Sequence, residues 1–135
     1  MSDGRINLGR RFTVLVMDDE SSILRMLGRS LDQFGYATLE AKSADEALIV
    51  LRANRVDAAI LDVRLPGGTS GLELLETFRT DKKLAKLPVL ILTGNMLTLA
   101  ESQRVRQLDA HLFYKPSRVE AIAEKLDELL KHKRT

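Results

Sequence analysis

The 135-residue sequence contains no cysteine. Disulfides and cysteine-ligated metals are therefore excluded, and a reducing compartment fits. No apolar segment approaches membrane-spanning length, and the opening "MSDGRINLGRRF" lacks the apolar run of a signal peptide. A cytoplasmic location without membrane association is the expectation. Internal repeats, low-complexity segments and a linker to a second domain are missing too. What is present is an ordinary globular composition, 44% hydrophobic and 30% charged, enough for one domain with a real core.

A strong charge of one sign is also lacking once the tails are set aside. Arg5, Arg10, Arg11, Lys131, Lys133 and Arg134 sit at the two ends against Asp3 alone. Between Phe12 and Leu130 there are 15 basic and 18 acidic residues, a net of −3, so the overall +2 belongs to the ends. Basic tails are usually solvating, and no direct nucleic-acid role is expected. The expected organisation is a basic tail over 1–11, one domain over 12–131 and a short tail over 132–135.

Short apolar runs alternate with amphipathic stretches. "FTVLVM" (12–17), "YATLE" (36–40), "DAAILD" (57–62), "PVLILT" (88–93) and "AHLFY" (110–114) read as strands. The first, third and fourth are continuously apolar, as strands covered on both faces should be. Between them, Ile23, Leu24, Leu27, Leu31 and Phe34 recur at helical spacing, with Gly35 as a stop. Ser43/Glu46, Ser70/Glu73, Thr98/Glu101 and Ser117/Glu120 each form the Ser/Thr-x-x-Glu signature of a helix start. The stretch from Thr98 to about Gln107 has the weakest apolar stripe. Five strands alternating with five helices predict an α/β domain, a doubly wound five-stranded parallel sheet of flavodoxin-like type.

In such sheets ligands bind beyond the carboxyl ends of the strands. The first strand ends in Asp18 and Asp19, the third in Asp62, the fourth in Thr93 and the fifth in Lys115. Each has an ordinary reading: Asp19 or Glu20 as a helix cap, Asp62 before a turn, Thr93 as strand-end punctuation, Lys115 as a solvated lysine. Their conjunction on one edge is harder to explain that way. Adjacent carboxylates repel, and a hard, oxygen-preferring ion such as Mg²⁺ would offset that repulsion. A third carboxylate can attack phosphorus, with an ammonium and a hydroxyl neutralising the transferring group.

The motifs "VLVMDDE", "ILDVRLPGG…GLELL", "ILTG" and "YKP" together resemble the receiver domain of bacterial two-component response regulators, over roughly Phe12 to Leu130. The resemblance implies Mg²⁺ held by Asp18, Asp19, Asp62 and the backbone carbonyl of Arg64, with Asp19 the direct ligand of the acidic pair. It makes Asp62 the phosphoacceptor, Thr93 the switch hydroxyl, and Lys115 the lysine that pairs with the acceptor and then the phosphoryl group. Pro116 matches the proline that follows this lysine, and Arg64 and Asn95 match positions that tune phosphoryl lifetime. Three departures stand out. The loop "DVRLPGGTSG" is one residue longer than usual, Leu112 replaces the usual switch aromatic, with Phe113 or Tyr114 as substitutes if the register slips, and Ser117 replaces a common Phe.

The resemblance implies a stand-alone, chemotaxis-regulator-like protein, a monomer or weak dimer, that catalyses only its own phosphorylation and dephosphorylation. It would accept a phosphoryl group from a sensor histidine kinase or histidine phosphotransfer protein. Output would pass to a protein target through the helix after Thr98, the fifth strand and the last helix. A phospho-independent binding module is the alternative, favoured by Leu112 and the longer loop. A Mg²⁺-dependent phosphotransferase acting on a small molecule is a further one, disfavoured by Arg64 where such enzymes carry a second acid. Whether the chain belongs to a longer regulator is left open by the sequence.

Overall fold

The computed structural model describes residues 11–63, 71–94, 96–115 and 118–131. Five strands and five helices alternate along them: β1 (Thr13–Met17), α1 (Ser21–Gln33), β2 (Ala37–Ala41), α2 (Ala44–Ala53), β3 (Ala58–Leu61), α3 (Gly71–Thr80), β4 (Val89–Thr93), α4 (Leu99–Gln107), β5 (His111–Tyr114) and α5 (Val119–Leu130). All four strand pairings are parallel, and the order across the sheet is β2-β1-β3-β4-β5. The doubly wound sheet expected from the sequence is the sheet found.

Alternation along each strand divides the core into two layers. Leu15, Met17, Ala59, Leu61, Val89 and Ile91 face the side covered by α2, α3 and α4. Val14, Val16, Ala58, Ile60, Leu90 and Leu92 face α1 and α5, meeting Leu24, Leu27 and Leu31 on one helix and Ile122, Leu126 and Leu130 on the other. Strands β3 and β4 are buried throughout and β1 nearly so, whereas β2 and β5 at the edges are mostly half-buried. This is why the three continuously apolar runs are the central strands. Each fully buried Leu contributes about 1.5–3 kcal/mol relative to exposure.

Helix ends follow the sequence signals unevenly. Gly35 has φ +92, the Gly35 N–H donates to Asp32 O and the Tyr36 N–H to Leu31 O, so α1 closes in a left-handed turn that glycine enters without strain. Thr98 forms a complete capping box with Glu101. Ser43 accepts from the Glu46 N–H, but the Glu46 carboxylate reaches back to the Lys42 N–H, one residue before the cap. Helix α5 corrects the expected start: its cap position is Arg118, whose side chain makes no capping bond, not Ser117. Ser117 and Ser70 lie outside the described residues. Helix α4 buries only Val105, in line with its weak stripe.

Arg79, near the end of α3, ties two connections together. Its guanidinium donates to the carbonyls of Leu84, Ala85 and Leu87 before β4, and to those of Leu108 and Asp109 after α4. Asp109 carries a left-handed φ of 57, and its fixed carbonyl is one of these acceptors. Burial lowers the Arg79 pKa from its ordinary value, against the opposing pull of the Asp109 charge.

Candidate functional site

The backbone ladder runs past three strand ends and fixes the residues that follow. The Asp18 N–H donates to Ala41 O, the Asp62 N–H to Met17 O, and the Lys115 N–H to Thr93 O at 2.8 Å. Each functional side chain is thus carried on backbone that is still hydrogen-bonded to a neighbouring strand. Asp18, Asp62 and Thr93 are buried, with Thr93 fully so.

Lys115 joins them. Its Nζ lies 2.7 Å from Asp18 Oδ2 and 3.1 Å from Asp62 Oδ2, with only 19% of the side chain exposed. Burial works to lower the lysine pKa, but the hydrogen bonds and charges of Asp18 and Asp62 outweigh it, and the net shift is upward. The reading of Lys115 as one solvated lysine among many is therefore overturned by its geometry. Asp18 is the nearer partner, a preference the sequence did not reveal.

Adjacent in sequence, Asp18 and Asp19 differ in environment: Asp18 is buried and Asp19 exposed. Asp18 Oδ1 accepts from the Glu20 N–H at 3.0 Å, while Glu20 occupies the cap position of α1 without a side-chain capping bond. Among the described residues, Asp18, Asp19 and Glu20 form the group that could hold a metal ion, with one carboxylate oxygen from each lying within 4.8 Å of the others. An all-oxygen, anionic donor set suits a hard divalent ion that keeps several waters. Glu20 was visible from the sequence only as a cap. Asp62 is not in this trio and faces it across the Lys115 ammonium; Arg64, Asn95 and Pro116 lie outside the described residues.

Gly71, which the sequence motifs marked only as the glycine ending the longer loop, has a structural role beside the site. It opens α3, its N–H donates to Val63 O at 3.0 Å, and it presses against the end of β3. A Cβ there would stand 2.1 Å from Asp62 O and 2.9 Å from Asp62 C, so only glycine fits beside this backbone. The sequence signal was its place at the end of "DVRLPGGTSG", which bore on loop length and not on contact with the Asp62 backbone.

The register of β5 is also settled. Leu112 pairs with Ile91 and packs with the α2–α4 layer, while Phe113 turns to the α1–α5 layer. Tyr114, two residues on, returns to the Leu112 face at the strand end and is 38% exposed. The aromatic on the α4 side is therefore Tyr114, and Phe113 is not available to it.

Residues 14–127 match the family model described as the response regulator receiver domain. The chain is 30% identical over 129 residues to chemotaxis protein CheY-3 of Vibrio cholerae, covering 90% of this chain and 94% of that protein. It is 37% identical over 82 residues to the phosphate regulon transcriptional regulatory protein PhoB of Pseudomonas aeruginosa, covering 61% of this chain but only 35% of that regulator's length. The solved structure of Vibrio cholerae chemotaxis protein CheY4 superposes with a TM-score of 0.81 at 28% identity, covering 90% of this chain and 100% of that one.

Proposed function

The chain belongs to the response regulator receiver domain family, and from that premise we propose that Asp62 accepts a phosphoryl group from a phosphohistidine. The donor is a sensor histidine kinase or a histidine phosphotransfer protein. The observation that carries this reading is the Lys115 ammonium held between the buried carboxylates of Asp18 and Asp62, beside the buried Thr93. A carboxylate oxygen of Asp62 attacks phosphorus, the P–O bond forms as the P–N bond breaks, and the imidazole leaves with the electron pair and takes up a proton.

The residues of the chain supply the rest. Asp62 loses its carboxylate charge on becoming an acyl phosphate, and the new phosphoryl oxygens bring more negative charge to the same place. Lys115 follows that charge while keeping its shorter bond to Asp18. The Thr93 hydroxyl at the end of β4 donates to a phosphoryl oxygen. Receiver domains bind Mg²⁺ at an acidic pocket, and here Asp18 and Asp19, with Glu20 beside them, are the side chains that would hold it, with Asp62 and the Arg64 carbonyl as the family's remaining ligands. When bound, the ion supplies positive charge that neutralises the transferring oxygens. The catalysis assigned to the chain is confined to its own phosphorylation and dephosphorylation.

Output passes by phosphorylation-dependent protein binding on the face formed by α4, β5 and α5. Helix α4 has the fewest buried side chains to hold it, and Met96 and Leu99 at its start are largely exposed, which supports a surface that rearranges at low cost. Constitutive, phosphorylation-independent binding is the second reading, favoured by Leu112 in place of an aromatic ring. The test is intact mass after incubation with Mg²⁺ and either acetyl phosphate or a cognate kinase. A phosphoryl adduct on the wild type that is absent from Asp62→Asn supports the first reading; no adduct from either donor sinks it.

A further inference from the structure

At the end of the sheet opposite Asp62, a cavity of about 500 Å³ opens between the end of α2 and the turns that precede β4. Strand β3 separates the two ends, and its four residues at about 3.3 Å each span roughly 13 Å. Four cations line the cavity, Arg52, Arg55, Lys83 and Lys86, and no carboxylate does. In a domain whose charge between Phe12 and Leu130 is net negative, this is a local reversal of sign. All four are exposed, and among the described residues none is ion-paired with an acid.

Part of this charge has a structural use. Arg52 lies in the last turn of α2, where a cation favours the helix dipole, and Lys83 Nζ reaches Leu51 O at 3.5 Å. Among the described residues, Arg55 and Lys86 have no such use. The acids nearest in sequence to the lining are already engaged: Asp81 Oδ1 accepts from the Lys83 and Leu84 N–H groups, and the buried Asp57 accepts from the Thr13 N–H. The wall that precedes β4 is held in place by Arg79, which donates to the carbonyls of Leu84, Ala85 and Leu87. Between the cations lies an apolar part, with Leu51, Leu84 and Leu87 buried and Val56 and Pro88 half-buried.

We propose that this cavity is a binding site for a nucleoside polyphosphate. The volume is that of a small-molecule site. Lysines are compact partners for phosphate oxygens, and guanidinium planes stack on a planar base as well as bind phosphate. The apolar part receives the base and sugar, the cationic rim the phosphates. The site is independent of Asp62 chemistry and faces away from it.

The test is calorimetric titration of the full chain with ATP in the presence of EDTA, so that no divalent ion can bridge the nucleotide to Asp18 and Asp19. Saturable binding is expected, with backbone amide shifts confined to residues 51–56 and 83–88. Arg55→Ala/Lys86→Ala should weaken it by about tenfold or more, Asp62→Asn should leave it unchanged, and pyrophosphate should bind about tenfold more weakly than ATP. Both substituted residues are exposed, and a thermal melt confirms that the variant folds. Undiminished affinity in that variant, amide shifts centred on Asp18 and Asp62, or no saturation at millimolar ATP would overturn the proposal. So would saturation by a hexaglutamate peptide when ATP fails, which would make the cavity a protein-docking surface.

Discussion

Replacing Gly71 by alanine pits two physical effects of opposite sign against each other. Helix propensity and the lower entropy of the unfolded chain favour alanine by about 1 kcal/mol where the backbone can accept it. Here the added methyl would stand 2.1 Å from Asp62 O, with Asp62 C at 2.9 Å and Val63 Cα at 3.0 Å. All three are backbone atoms on a strand end that is itself hydrogen-bonded to β1, so no side chain can swing aside. Relief requires a shift of about 1 Å or more, and overpacking of this kind costs about 3 kcal/mol. The Gly71–Val63 hydrogen bond would stretch as well, for about 1 kcal/mol. A net loss of about 3 kcal/mol is expected, lowering the urea midpoint by roughly 1–3 M. With the proposed function, the rate of Asp62 phosphorylation should fall with it, because the displaced backbone is that of Asp62. Gly28→Ala is the control: its methyl would meet only the Thr38 Oγ1 at 3.2 Å, a side-chain atom that can rotate, and the midpoint should move little or rise. A Gly71→Ala protein as stable as the wild type would refute the close approach.

Three further outcomes follow from the same geometry. Lys115→Met should destabilise the domain by about 2 kcal/mol, allowing for the partial exposure of the lysine, because two buried carboxylates lose their counter-ion; adding Asp18→Asn should recover part of it. Since the folded Lys115 pKa is raised above its ordinary 10.5, this stabilisation is fully present below that value and is lost as pH rises through the folded one, so wild-type and Lys115→Met melting curves should converge in the alkaline range. Arg79→Lys should cost about 2–3 kcal/mol in urea unfolding, since a single ammonium cannot serve carbonyls in two separate connections. Thr98→Ala should cost about 1 kcal/mol and raise hydrogen exchange in the first turn of α4 without affecting α5.

The strands were legible because their signal is local and one-dimensional. Observed starts fall one residue inside the apolar runs, at Thr13, Ala37, Ala58, Val89 and His111, as expected when the first residue of a run only approaches the sheet. The convergence of Asp18, Asp62, Thr93 and Lys115 was legible because parallel strands put their carboxyl ends on one edge. What stayed hidden depends on three-dimensional proximity. Whether Lys115 would sit nearer to Asp18 or Asp62 is decided by side-chain reach across two strands. The need for Gly71 comes from a backbone nine residues earlier, and the role of Arg79 from carbonyls up to 30 residues away. The start of α5 shows the limit of a local cue, since Ser117/Glu120 satisfied the pattern while the helix capped on Arg118.

The hydrogen bond from the Gly71 N–H to Val63 O has a consequence for how this domain tolerates change in length. It joins the two residues that flank the seven-residue segment 64–70, immediately beyond Asp62. Enlarging a closed loop from seven residues to eight, or reaching seven from six, costs only about 0.1 kcal/mol in closure entropy. The clasp therefore separates two properties that a motif comparison treats as one. The position of Asp62 is set by the sheet and by the glycine that abuts it, while the number of residues between Val63 and Gly71 can change at little entropic cost. An extra residue between these two anchors changes the length of the segment, not the placement of Asp62.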